Sequence, residues 1–432
     1  MRSRSMRRNA WMLLLLPLFL KASPVISTER DLVLNESQKF ALASTPYGVY
    51  YQDVLEHPAV LEDTPTFRDE ELTQVGGKLT PNQSFTIKEF YVNSLGTPIF
   101  KLDNHQFISA QSQIVFEDQV LARYQTDQTM WAGPQVLTYE APYRAGMQAK
   151  PSSIKPYSPV VLEEIAETTR GSYAKIKGDG WIKMDDLSEE DRRIELVQAR
   201  LNERFNRENV SIYVKQLDTG QTAGINPDKE MYAASVLKTA FLYEAEDRLR
   251  SGSMKADQPL KYVAEVNDAY GAYDAAGSGS LPKEADQKDY ALREVMDKTA
   301  KESDNVGSNL LNYYAANKSD RAFLDKIAKI AGKKWDVEER MASARMAGQV
   351  MEAIYQQNGS IIEALSATQF DDQRISKNIP DKVAHKIGDA DDYRHDVAIV
   401  YAKTPFILSV FTEHASYDDI TAIADLVYEV YK

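Results

Sequence analysis

Met231–Leu249 reads MYAASVLKTAFLYEAEDRL, and the reading of this stretch decides the rest of the chain. Its apolar spacing predicts an amphipathic helix with Ser235 and Lys238 on one face, one turn apart. A serine hydroxyl attacks a carbonyl only when a base takes its proton. A lysine can be that base when burial or neighbouring cations lower its pKa. The unpaired amides of a helix start favour negative charge developing at Ser235. The spacing alone selects nothing, because Ser152/Lys155, Ser172/Lys175 and Ser280/Lys283 repeat it.

Working outward, 432 residues allow two or three domains, and 43% hydrophobic content is ample for their cores. The chain has no cysteine, which excludes disulfides, thiolate metal sites, a cysteine nucleophile and a lipoprotein anchor. A formal charge of −13 argues against a nucleic-acid partner. Arg2, Arg4, Arg7 and Arg8 precede the apolar run Trp11–Leu20 and then polar KASPVIS, the order of a signal peptide over residues 1–27. Ten apolar residues broken by Pro17 are short for a membrane span, although an uncleaved anchor is the alternative. Without those 27 residues, five basic and none acidic, the charge would be −18. The expected location is therefore secreted or at the cell surface, wall- or membrane-associated, and a Gram-positive surface suits a cysteine-free acidic chain.

From residue 29 to 186 short alternating runs replace helical periodicity. FTIKEFYV (Phe85–Val92), TPIFKLD (Thr97–Asp103) and QFISAQSQIVF (Gln106–Phe116) predict strands. The block then repeats after about 75 residues. Pro81 falls on Pro156, Phe85 on Val160, Ile87 on Leu162 and Gly96 on Gly171; after one gap, Lys101 falls on Lys175, Phe107 on Trp181 and Ile108 on Ile182. Two small all-β modules are expected, over 29–118 and 133–186. The second ends SYAKIKGDGWIKMDDL and resembles the Gly-Trp type of bacterial SH3-like module, with Gly180-Trp181 as the dipeptide. Gln106-Phe107 replaces it in the first copy. That resemblance implies a cell-wall polymer as partner; the plainer alternative is that Trp181 fills a small barrel core.

Residues 188–432 form the last predicted domain. Ser188–Phe205 predicts a helix with Ser188 as N-cap, and Val210–Asn226 two strands around Asp218-Thr219-Gly220. Helical patterns follow over 289–317, 320–331 and 341–357. KVAHKIG (Lys382–Gly388), DVAIVYA (Asp396–Ala402) and FILSVFTEH (Phe406–His414) then predict three strands, and Asp418–Tyr431 a closing helix. The expected fold class is α/β: an antiparallel sheet with helices on both sides, built from both ends of the domain.

Three short signals occur in order in this domain: Ser235-Val-Leu-Lys238, Ser303-Asp304-Asn305, and Lys386-Ile387-Gly388. Together they resemble the Ser-x-x-Lys, Ser-Asp-Asn and Lys-Thr-Gly set of penicillin-recognising serine enzymes. AGSGSLP, SDNVGSNLL and DVAIVYAKTPFILSVFTE deepen the resemblance to class A β-lactamases, which covers Ser188 to Lys432. It implies Ser235 as the acylated nucleophile, Lys238 as its base and Ser303 as a proton shuttle to the leaving nitrogen. Asn305 would bind the substrate amide and Lys238, Lys386 the substrate carboxylate, and Gly388 would leave room for substrate along the strand. The backbone amides of Ser235 and Asp389 would form the oxyanion hole. No cofactor is implied, and the five histidines lack ligand spacing, so no metal is expected. His385 and His395 are read as structural.

Two departures qualify this. Class A β-lactamases carry a loop Glu, with an Asn, that activates the deacylating water; here the loop looks truncated and only Glu338 and Glu339 stand nearby. Ile387 replaces the hydroxyl residue of the third motif, removing one hydrogen bond to a substrate carboxylate. The expectation is an acyl-enzyme-forming serine hydrolase acting on a small-molecule β-lactam or peptidoglycan-derived amide or ester, with weak β-lactam turnover. The alternatives are a penicillin-binding, D-alanyl peptidase and a non-catalytic wall-binding surface protein.

Overall fold

The computed structural model describes residues 49–432; the signal-peptide reading and residues 29–48 of the first module lie outside them. Two compact units emerge, one from the described residues up to Gln119 with Arg144–Gly146, the other from Val120–Tyr143 and Met147–Lys432. No helix among the described residues is long and apolar enough to cross a membrane.

The first unit is built on β1 (Thr64–Phe67), β2 (Val75–Leu79), β3 (Ile87–Val92), β4 (Pro98–Leu102) and β5 (Phe107–Ser109), ordered β2-β1-β5-β4-β3. Leu79, Ile87, Phe100, Leu102 and Ile108 form its core. In the second unit, β6 (Val120–Gln125), β7 (Thr129–Ala132), β8 (Pro159–Thr168), β9 (Gly171–Ile176), β10 (Trp181–Lys183) and β11 (Leu187–Ser188) make a sheet ordered β10-β9-β8-β7-β11, with β6 also on β8.

The sequence repeat is a repeat of strand geometry. Lys101 pairs with Phe107 as Lys175 does with Trp181, and Ile87 with Leu102 as Leu162 does with Ile176. Each copy has a register shift at the same step, Ile87/Glu89 in one and Leu162/Glu164 in the other. Trp181 is buried against Ala166 and Tyr173, with Arg123 over its ring. Gly180 is required by close approach: a Cβ there would meet the Tyr139 carbonyl oxygen at 2.5 Å.

The elements that frame the rest of the second unit include α1 (Arg193–Phe205), β12 (Val210–Gln216), β13 (Thr222–Ile225), β14 (Glu230–Tyr232), α2 (Lys238–Arg250), α3 (Leu292–Lys301), α4 (Asn305–Tyr314), α5 (Arg321–Ala331), β15 (Met341–Ser343), α6 (Ala344–Gln357), β16 (Val383–Ala390), β17 (Tyr393–Val400), β18 (Phe406–Glu413) and α7 (Tyr417–Tyr431). The antiparallel sheet runs β13-β12-β18-β17-β16. Strand alternation gives it two apolar faces. Tyr213, Ala384, Val397, Ile399 and Phe411 pack with α2 and the other central helices, while Ile212, Val214, Val383, Ala398 and Leu408 pack with α1 and α7.

Two boundary expectations fail for physical reasons. Ser188 is not an N-cap; its backbone pairs with Trp131, and α1 begins five residues later behind Asp191, which accepts the Arg193 amide. Met231 is not helical; it pairs with Ala342 across β14 and β15, and sheet pairing overrides the local helical pattern.

Candidate active site

Ser235 lies in a 3-10 turn, Ala234–Leu237, that feeds directly into α2. Four neighbours hold the residues just ahead of it. His395 Nε2 contacts the Tyr232 carbonyl at 2.9 Å, and the Ala233 amide donates to the Arg340 carbonyl at 2.8 Å. Tyr273 OH donates to the Ala234 carbonyl at 3.0 Å. Gly388 of β16 closes the fourth side, where a Cβ would sit 2.8 Å from Ala233 O and 3.2 Å from the Val236 amide nitrogen. Ala234 is held left-handed, with φ 49°. The result is a half-buried Ser235 between fully buried neighbours.

Lys238, the first residue of α2, is wholly buried. Its Nζ donates to the Ser303 carbonyl and to Asn305 Oδ1, both at 2.6 Å, and lies 3.5 Å from Ser303 Oγ and 4.5 Å from the Tyr273 ring centre. Burial pushes its pKa well below the usual lysine value; Lys386, Arg340 and Lys283 push the same way, and Asp304 opposes them. Burial and the neighbouring cations thus make this amine easier to deprotonate than an ordinary lysine.

Ser303-Asp304-Asn305 turns α3 into α4. Ser303 is left-handed, with φ 56°, and Asp304 caps α4 through the Gly307 amide while also accepting from Leu281. Asn305 faces Lys238 with its oxygen and donates its amide to Asp274 O at 2.7 Å. Ser278 Oγ donates to Ser303 O at 2.9 Å. From the strand side, Lys386 Nζ donates to Ser303 Oγ at 2.8 Å and Ile387 O at 2.9 Å. Burial brings Lys386 down to about 7, with Arg374 lowering it further and Asp396 and Asp389 acting against this. Lys238, Ser303, Asn305 and Lys386 therefore join in one hydrogen-bonded network, with Ser235 on the adjoining turn, Gly388 packed against that turn, and Asp389, expected to act through its backbone amide, next to Gly388 on the strand.

The competing Ser-x-x-Lys pairs are tied elsewhere. Ser152 donates to Asp179 at 3.0 Å, Ser172 to Glu167 at 2.7 Å, and Ser280 accepts from Lys298 at 2.7 Å.

Ile387 is buried and, by alternation, lies on the face opposite Lys386, across from Asp396. Asp389 shares that opposite face. Glu338 and Glu339 are both exposed, and Glu338 accepts from Tyr270 OH at 3.2 Å. The two histidines differ. His395 is buried, stacks on Phe411 and accepts the Thr412 amide on Nδ1; burial lowers it to about 4. Burial also pushes His385 down, but Asp396 at 3.0 Å and Asp371 at 3.2 Å outweigh it and raise it to about 9.

Sequence reasoning missed Tyr273, Arg340 and Ser278. Arg340 lies 4.4 Å from the Tyr273 ring and donates to Ala272 O, so Tyr273 is flanked by both Arg340 and Lys238. These residues stand in loops without periodicity, and only Ser278, inside the word AGSGSLP, lay in a stretch the sequence singled out. Among the described residues no group of three or more His, Asp or Glu could hold a metal ion.

A buried lysine beside a turn-held serine, with a second serine between two lysines, is the equipment of a serine hydrolase. A sequence model of the β-lactamase enzyme family matches residues 193–432, more than half of the chain, and the chain belongs to that family. Solved structures similar to the chain include the following. PBP-A is 17% identical, with 56% of this chain and 96% of that chain covered and a TM-score of 0.45. The β-lactamase from Sphaerobacter thermophilus is 18% identical over 55% of this chain and 95% of that chain, with a TM-score of 0.45. The β-lactamase from Chitinophaga pinensis is 18% identical over 56% and 98%, with a TM-score of 0.44. No curated protein matches the sequence.

Proposed function

We propose that the chain is an exported serine hydrolase of the class A β-lactamase type, acylated at Ser235 by a β-lactam or a related cell-wall amide or ester. The observation that carries this reading is the buried Lys238 amine, held between Ser303 and Asn305 at the foot of the Ser235 turn. Neutral Lys238 takes the Ser235 proton as Oγ bonds to the substrate carbonyl carbon. The oxyanion forms against the amides of Ser235 and Asp389. The carbonyl–nitrogen bond then breaks, and the leaving nitrogen takes a proton through Ser303, which Lys238 and Lys386 both contact. Asn305 orients Lys238 and the substrate amide, Lys386 supplies positive charge, and Gly388 keeps strand and turn in contact.

Release of the acyl group is the slow half. Glu338 is engaged by Tyr270 and Glu339 is exposed, so neither is set to activate water. The same observation favours a second reading, a penicillin-binding peptidase of the D-alanyl type, which shares the acylation step. Export rests on the basic and apolar start of the sequence. The β modules, over 29–118 and 133–186, are read as SH3-like and as carriers of wall-polymer binding; because Trp181 is buried, this reading needs other residues for the binding.

Incubation with a fluorescent penicillin and a chromogenic cephalosporin, followed by intact mass, tests the reading. A long-lived adduct is expected on the native chain and none on Ser235→Ala. Rapid Ser235-dependent colour change would refute slow release, and an adduct surviving in Ser235→Ala would refute the nucleophile. Retention of residues 29–186 on purified cell walls tests the modules.

A further inference from the structure

Beyond Gly388, β16 ends in a charge arrangement that the acylation step does not use. Asp389 accepts from Arg374 Nη2, and its other oxygen lies 3.8 Å from Arg394 Nε. Arg374 is fully buried, whereas Asp389 keeps 35% of its side chain exposed. The Arg374 guanidinium lies 3.8 Å from the centre of the Tyr417 ring and donates from Nη1 to Gln373 at 2.9 Å, while its Nε has no partner. Arg394 approaches the same ring at 6.0 Å. Two guanidinium groups and one aromatic ring therefore surround a single carboxylate at the strand that borders the cleft.

A buried guanidinium requires an anion beside it. Here the chain itself provides that anion, in Asp389. A donor bringing its own carboxylate meets cations already neutralised and a like charge beside them. Ile387, buried and without a hydroxyl, offers such a carboxylate nothing on the same face. Lys386, the remaining cation, is engaged by Ser303 Oγ and the Ile387 carbonyl.

We propose that Asp389 is a specificity-determining residue: as the internal counter-ion of Arg374 and Arg394, it turns the cleft against acyl donors with a carboxylate beside the scissile carbonyl and toward neutral or cationic amides and esters. This rests on Ser235 being the nucleophile. The substrate class it names is a wall-derived amide or ester whose end near the reacting bond carries no free carboxylate.

Benzylpenicillin and its methyl ester make a matched pair, sharing one β-lactam and differing only in that charge. The readout is the ratio of their rates of Ser235 acylation, free acid over ester, by intact mass on the full chain. Because both rates come from one protein sample, a loss common to both cancels. The native chain is expected to favour the ester. Asp389→Asn is expected to raise the ratio about tenfold, as removal of a like-charge contact allows. Arg394→Gln leaves Asp389 less neutralised and is expected to lower the ratio, which keeps the test available if Asp389→Asn does not fold. A native ratio favouring the free acid, or a ratio that neither substitution moves, overturns the proposal while leaving Ser235 in place. Failure of both compounds to modify Ser235 overturns the nucleophile assignment and the proposal together.

Discussion

The helical side and the strand side of the cleft each carry a buried lysine, but they hold it by different means. Lys238 sits among strained backbone: Ala234 and Ser303 are both left-handed, and its amine is committed to Ser303 and Asn305. Left-handed geometry costs a non-glycine residue on the order of 1–2 kcal/mol, so the surrounding contacts must enforce it. Lys386 sits on a regular antiparallel strand, and its surroundings are set by side-chain charges: Asp396, Asp389 and Arg374. A closed network of strained backbone tolerates little, while a regularly paired strand can take a different side chain, such as Ile387 in place of a hydroxyl residue, without losing its pairing.

The sharpest way to break this contrast is to remove the helical-side amine. Lys238→Ala should slow Ser235 acylation by about a thousandfold, the range of a lost general base, with mass spectrometry as the measure. A loss below tenfold would show that the helical side is less committed than its geometry implies. On the strand side, Gly388→Ala tests where regularity ends. Its Cβ would come within 2.8 Å of Ala233 O, and such overpacking costs about 1–3 kcal/mol. Thermal unfolding should show the loss, with slower acylation because the strain falls on the Ser235 turn; a variant as stable and active as the native chain would contradict the close approach.

The smallest effect concerns His385, next to Lys386 on the strand. Its folded pKa of about 9 exceeds the unfolded 6.5, so the folded state binds this proton more tightly. The stabilisation is complete below pH 6.5 and is lost as pH rises through about 9. The melting temperature should fall across that window, and His385→Gln should flatten the fall. Equal slopes in both proteins would mean that His385 is not the group responsible.

Much of this site is legible in the amino-acid sequence. Ser235, Lys238, Ser303, Asn305 and Lys386 lie in three words of three or four residues, and it was the resemblance of those words, taken in order, to a known motif set that found them where spacing alone did not. The strands of the last sheet were legible from their β-branched runs, while their order in the sheet came only with the structure. What stayed hidden came from distant pairings. Ser188 looked like a cap until its backbone paired with Trp131, and Met231 looked helical until it paired with Ala342. Arg374 lies in an irregular stretch, and nothing in its neighbours announces that it will be buried against Asp389. The partners of Tyr273 are far away in sequence, at Ala234, Lys238 and Arg340.

The matched register shifts in the two β modules carry a consequence for engineering. Ile87/Glu89 and Leu162/Glu164 interrupt their ladders at the same step, and the downstream pairings coincide residue for residue. A hairpin cut from one copy and spliced into the other therefore keeps its bend and its inward-facing set, because a bulge fixes where a strand can turn. A chimera carrying two Gly-Trp hairpins is therefore a direct means of asking what that dipeptide adds.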